Sequence, residues 1–131
     1  MKLRDGSYLL AQQILGVRES SGDGLPWLTT LAYRYQWQSG ADDGTWLVRW
    51  DYSRDPPVPP HVNVHFGRGV NIGGKDSHKL HLPTGRVAIE DVVRFLAGEA
   101  GVTCNSDGWP KILDEAAAIF QRIQRREPSD A

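Results

Sequence analysis

The alternation of hydrophobic and polar positions is sharpest in the middle of the chain. In LAYRYQWQ, Tyr33, Tyr35 and Trp37 alternate with Arg34, Gln36 and Gln38. In TWLVRWDY, Trp46, Val48, Trp50 and Tyr52 alternate with Leu47, Arg49 and Asp51. Successive side chains of a strand point to opposite faces, so each run predicts a strand with one aromatic and one polar face. The turn SGADDG between them makes the pair a β-hairpin. Its aromatic face suits burial against helices, and the same rings also suit a stacking platform for bases.

Other periodicities place the remaining elements. Ser7 caps a first helix whose stripe is Tyr8, Leu9, Ala11, Gln12, Ile14 and Leu15, with Gly16 ending it. ESSGDGLP is loop chemistry and Pro26 marks the restart. The prolines of SRDPPVPP exclude a regular central strand and stiffen the approach to His61. HVNVHF predicts a third strand and KLHL a shorter fourth, joined by the glycine-rich GRGVNIGGKDS. Residues 87–102 predict a helix with Ile89, Val92, Val93, Leu96 and Ala100 on its apolar face and Gly101 closing it. A last helix starts near residues 106–110, with Pro110 in its first turn. Ile112, Leu113, Ala116, Ala117, Phe120 and Ile123 then face inward. The polar tail frays from about residue 127. Without internal repeats or a second boundary, residues 1–131 predict a single α+β domain. It is an antiparallel sheet of about four strands with an N-terminal helix and two C-terminal helices packed on it.

Composition narrows the function. A chain of 131 residues with net charge −1 excludes a general cationic coat for nucleic acid but leaves room for a local basic cleft. The lone Cys104 can form no internal disulfide, and with no second thiol or histidine beside it reads as an inert thiol. The N-terminal apolar stretch is interrupted by Gln12 and Gln13, is too short to span a membrane and lacks a clear cleavage site. The expectation is a cytoplasmic protein with no membrane partner.

All four histidines fall in one short stretch, His61 and His65 in PPHVNVHF, His78 and His81 in SHKLHLP. On a strand His61, Asn63 and His65 share one face. Arg68, Lys75, Lys79 and Arg86 surround them against the single acid Asp76. Imidazoles suit zinc, but the spacing matches no standard zinc motif, and histidines four apart on a strand lie roughly 13 Å apart. Metal and cofactor are therefore not expected, and a zinc hydrolase or zinc-stabilised fold stands as the third reading. General acid–base chemistry fits better, because an imidazole titrates near neutrality and serves as either base or acid. Metal-independent RNA cleavage needs a base for the ribose 2′-hydroxyl, an acid for the leaving oxygen and a cation for the charged phosphorane. On this reading His61 and His65 are acid and base, with His81 as the second-choice imidazole. Arg49, Lys79 and Arg86 supply cations, Arg68 and Lys75 touch phosphate as point charges, and Tyr35 stacks on a base. Arg49 and Asp51 are either a solvated ion pair of little weight or, if their face also holds the histidines, catalytic neighbours in which Asp51 orients an imidazole. Taken singly, each histidine also fits as an ordinary residue of a half-exposed strand. Gly69, Gly74 and Lys75 have phosphate-loop spacing, but Asp76 stands where Ser or Thr must bind magnesium and no helix follows, so a hairpin connection is the better reading.

Three segments together carry a family resemblance: Tyr33-x-Tyr35-x-Trp37-Gln38, Leu47-x-Arg49-Trp50-Asp51 and Pro60-His61-x-x-x-His65. Over the central third, the chain resembles the TumE-like family of small toxins paired with an antitoxin. That family typically shows an aromatic-x-Tyr-x-x-Gln strand, then Arg-Tyr/Trp-Asp-Asn, then a histidine-rich strand after a proline loop. Here Tyr52 stands in place of the usual Asn. The resemblance implies a growth-inhibiting toxin that acts on RNA and is neutralised by an antitoxin protein. The alternative is a non-catalytic protein- or nucleic-acid-binding module of a defence system. An exposed strand edge in a domain this small also offers a route to a homodimer.

Overall fold

The structure, a computed structural model, describes residues 1–19, 26–65, 71–72, 74–76, 79–103 and 107–124. Arg68, His78, Cys104 and the tail from residue 127 lie outside the described residues. The described residues form an antiparallel five-stranded sheet and a separate two-stranded hairpin, followed by two helices. The sheet contains β1 (Tyr8–Arg18), β2 (Trp27–Gln38), β3 (Trp46–Ser53), β4 (Val58–Val64) and β7 (Leu82–Pro83), in the order β1-β2-β3-β4-β7. β5 (Asn71–Ile72) and β6 (Lys75–Asp76) form the small hairpin within the glycine-rich segment. The helices are α1 (Ile89–Gly98) and α2 (Trp109–Gln124).

The aromatic hairpin forms as the alternation predicts, with Tyr33 opposite Tyr52, Tyr35 opposite Trp50 and Trp37 opposite Val48. These side chains face α1. Tyr33, Tyr35, Val48 and Trp50 are buried with Val92, Leu96 and Val102, and the Phe95 ring meets Trp50 edge-on at 5.7 Å. The aromatic face is therefore the core. One position departs from the alternation. The register slips between Trp37 and Gln38, so that Gln38 pairs with Trp46. Leu47 then packs against the core, while Trp46 lies under the Arg49 guanidinium at 4.8 Å, with the polar residues.

The expected N-terminal helix is instead β1. In YLLAQQIL the apolar residues fit a helical stripe, but long-range pairing overrides that local preference: β1 runs antiparallel to β2 from Tyr8 opposite Gln38 to Arg18 opposite Trp27. Ser7 consequently caps no helix. It turns the chain into β1, its backbone N–H and hydroxyl both donating to Asp5 Oδ1. β4 also begins earlier than expected, including Pro59 and Pro60. The missing N–H groups cost little there, because pairing with β3 skips from His61 to Val58, and the Pro60 carbonyl still accepts from Thr84 N–H at 3.0 Å. The fourth expected strand shrinks to the two residues of β7.

α1 begins where the Asp91 carboxylate accepts from the Ala88 N–H at 3.0 Å, half of a capping box. It ends before Gly101, whose φ of 71° favours glycine. α2 starts at Trp109 with Pro110 in its first turn, but Ile112 is exposed and does not face inward. No helix among the described residues is long and apolar enough to cross a membrane.

Candidate functional site

The sheet register turns the polar alternates of the hairpin into a surface on the face away from α1. Gln12, Arg34, Asp51, His61 and Pro83 form one row across the strands, and Leu10, Gln36, Arg49 and Asn63 form the next. Arg49 and Asp51 therefore share a face with His61, the condition under which they become neighbours of the histidine chemistry. A cavity of about 550 Å³ opens here, lined by Arg49, Asp51, His61, Lys79 and His81 among others.

His61 is the most constrained of these groups. It is buried in the sheet, and its Nδ1 lies 2.8 Å from the Pro59 carbonyl. A carbonyl can only accept, so Nδ1 carries the hydrogen and the neutral ring keeps its lone pair on Nε2. That atom stands 3.9 Å from Asp51 Oδ2, too far for a hydrogen bond. The other carboxylate oxygen of Asp51 accepts from Arg34 Nε at 2.6 Å. The His81 ring lies beside that of His61, centroids 4.5 Å apart and tilted by 45°. Asn63 holds the approaching segment by donating from Nδ2 to the Leu80 carbonyl at 2.8 Å.

Arg49 is held from behind. Its Nε donates to Gln36 Oε1 at 2.7 Å, Gln36 Nε2 donates to Gln38 Oε1 at 2.6 Å, and Gln38 Nε2 donates to the Gly40 carbonyl at 2.9 Å. Gln36 and Gln38 are both buried. Burial pushes the Arg49 pKa down from its usual value, the charge of Arg34 adds to this, and Asp51 and Asp43 oppose it. A guanidinium always charged at neutral pH, partly desolvated and anchored through one nitrogen, presents its remaining N–H groups to an anion. The glutamines escape sequence reasoning because Gln at alternate strand positions looks like ordinary solvent-facing polarity.

The remaining expected residues are distributed as follows. Lys79 lines the cavity and lies 3.6 Å from Asp76 Oδ2. His65 does not line it; its ring packs 5.1 Å from that of Trp46. Arg86 lies toward the helices, donating from Nη2 to the Tyr52 hydroxyl at 2.6 Å. Lys75 is exposed on the small hairpin. Tyr35 is 1% exposed in the core, so it cannot stack on a base in this cavity. Among the described residues, no group of three His, Cys, Asp or Glu side chains is placed to hold a metal ion.

A protein-family model described as Toxin TumE matches residues 1–99 of this chain. That span takes in the whole five-stranded sheet, α1 and every residue named in the cavity. Comparison with curated proteins and with solved structures gives no match.

Proposed function

The chain belongs to the TumE toxin family, and we propose that its toxicity is metal-independent cleavage of RNA in the histidine cavity. A toxin of this family implies an antitoxin partner, and on this reading RNA is the second partner. One observation carries the proposal: His61 and His81, 4.5 Å apart, share a cavity with Arg49, Lys79 and Asp51. His61 Nε2, held as the acceptor by the Pro59 contact, removes the proton from a ribose 2′-hydroxyl. The freed oxygen attacks the adjacent phosphorus, and protonated His81 gives its proton to the departing 5′-oxygen, leaving a 2′,3′-cyclic phosphate. Arg49 and Lys79 balance the charge on the phosphorane. Asp51 steadies His61 once it has gained the proton, without forming the proton-accepting group itself. His81 thus takes the role that spacing gave to His65.

The test is induction of the wild type, His61→Ala and His81→Ala in a bacterial host, with growth and total RNA followed together. Growth arrest with RNA fragmentation is expected from the wild type alone. Arrest that persists without RNA fragmentation and is indifferent to both substitutions overturns the ribonuclease reading. That result favours the binding-module reading, in which the same polar face only grips its partner; the 3.9 Å separation of Asp51 from His61, longer than a hydrogen bond, is the observation on its side.

A further inference from the structure

The two edges of the sheet are treated differently. One edge is β7, which is two residues long and ends in Pro83, a combination that blocks further strand pairing. The other is β1, eleven residues long, with no proline and no charged side chain between Asp5 and Arg18. Among the described residues, residues 1–3 cover its start: the Met1 amino group donates to the Leu9 carbonyl at 2.8 Å, and Leu9 N–H donates to the Met1 carbonyl at 2.9 Å. Leu9 therefore points its backbone groups away from β2. The ladder slips between Ile14 and Leu15, where β2 carries the extra residue Leu31; β1 has no insertion there and keeps its own alternation, so Ala11, Gln13, Leu15 and Val17 do the same along the rest of the strand. Leu10, Ile14, Leu15 and Val17 expose their side chains around this edge. Long, uncharged edges without proline pair with another strand.

We infer that this chain forms a two-fold homodimer by antiparallel pairing of residues 10–18 of β1 with the same residues of a second copy, centred on Ile14. In that register Ala11 pairs with Val17 and Gln13 with Leu15, so every outward-pointing residue beyond the N-terminal arm finds a partner. A centre one residue earlier sets Val17 against Leu9, whose backbone groups already bond to Met1. The occupant is a second copy because the edge complements itself. Its uncharged stretch meets an uncharged stretch, and Arg18 of one copy falls opposite Leu10 of the other, where Asp43 lines the adjoining groove. A dyad through an antiparallel pair runs perpendicular to the sheet, so both polar faces lie on the same side. The histidine cavity reaches Gln12 and Ile14 of β1, and the second copy extends its open side into a groove continuous across the dyad.

Sedimentation of the full chain tests the assembly, and a cysteine pair tests the register. The wild type is expected to sediment as a dimer. Leu15→Lys/Val17→Lys, which alters two exposed side chains outside the cavity, is expected to sediment as a monomer with an unchanged circular dichroism spectrum. In a Cys104→Ser background, Ile14→Cys sits opposite its own copy as a non-hydrogen-bonded pair, with Cα atoms about 4.5 Å apart, and is expected to cross-link on oxidation. Gln12→Cys, facing Gly16, is not. A monomeric wild type overturns the inference, including a chain that pairs only with a different protein, and so does a dimer that survives the lysines or fails to cross-link at residue 14. Neither readout depends on RNA cleavage.

Discussion

The imidazole rings of His61 and His81 lie 4.5 Å apart because β7 pairs with β4, setting Pro83 opposite His61 and Leu82 opposite Val62. The short strand does little for the core, and its residues are largely exposed. Its effect is to carry His81 and Lys79 to the rim of the cavity. Asn63 reinforces the approach through the Leu80 carbonyl.

His81→Ala and His65→Ala should therefore separate sharply. Loss of a positioned acid or base lowers the rate by about 10²–10⁴-fold. Purified His81→Ala is expected to lose RNA cleavage to that extent, while His65→Ala retains it within a few-fold. Cleavage of a labelled RNA in the presence of chelator measures both, and the reverse ranking would return the acid–base pair to His61 and His65.

Gln36→Ala should destabilise the protein and weaken anion binding together. It leaves Arg49 Nε and the buried Gln38 Oε1 without their partners. An unsatisfied buried polar group costs ~1–3 kcal/mol, and urea unfolding should show a loss of that size. Gln36→Glu restores an acceptor for Arg49 but removes the donor to Gln38 and sets a carboxylate against the guanidinium, so it is expected to recover neither stability nor RNA binding.

Tyr35→Phe should be tolerated. Among the described residues the buried Tyr35 hydroxyl has no hydrogen-bond partner, and burial pushes its pKa upward. Removing a hydroxyl that makes no bond is neutral or stabilising. The pH dependence has a definite sign. In the unfolded chain the phenol ionises near 10.0; in the folded chain it resists ionisation, as does Tyr33. Stability is thus full below pH 10 and falls as pH rises beyond it. Thermal unfolding across that range should fall less steeply for Tyr35→Phe, and RNA cleavage at neutral pH should not change.

Leu96→Ala removes the α1 side chain that is 3% exposed beneath the aromatic face. A cavity there should cost about 2–5 kcal/mol. Chemical denaturation monitored by tryptophan fluorescence is the direct measurement, since Trp50 shares that cluster.

The aromatic hairpin, the histidine strand and both C-terminal helices were legible because each has a period that survives out of context. The aromatic alternation of β2 and β3 fits a strand and no helix, and the apolar spacing of α1 fits a helix and no strand. β1 was not legible. YLLAQQIL carries apolar residues on both faces of an edge strand, so its period is blurred, and pairing with β2 rather than local preference made it extended. Trp46 lies on the face opposite to the one that alternation predicts, because a slip in register leaves no mark in a strictly alternating sequence.

The sequence by itself determined which residue types gathered around the site. Arg49 and Asp51 stand on the polar face of an aromatic strand, with His61 and His81 in the neighbouring basic segment. It also determined, through side-chain alternation, that the rings of Tyr33, Tyr35 and Trp50 would face away from Arg49 and Asp51. Only the tertiary structure decided which histidines meet. Strand spacing separates His61 from His65 along one strand, whereas cross-strand pairing brings His81 beside His61 from a distant segment. The same pairing anchored Arg49 to two buried glutamines and took Tyr35 out of reach. Alternation along a strand is local and can be read from the chain, while the neighbour across the sheet depends on the register of the whole.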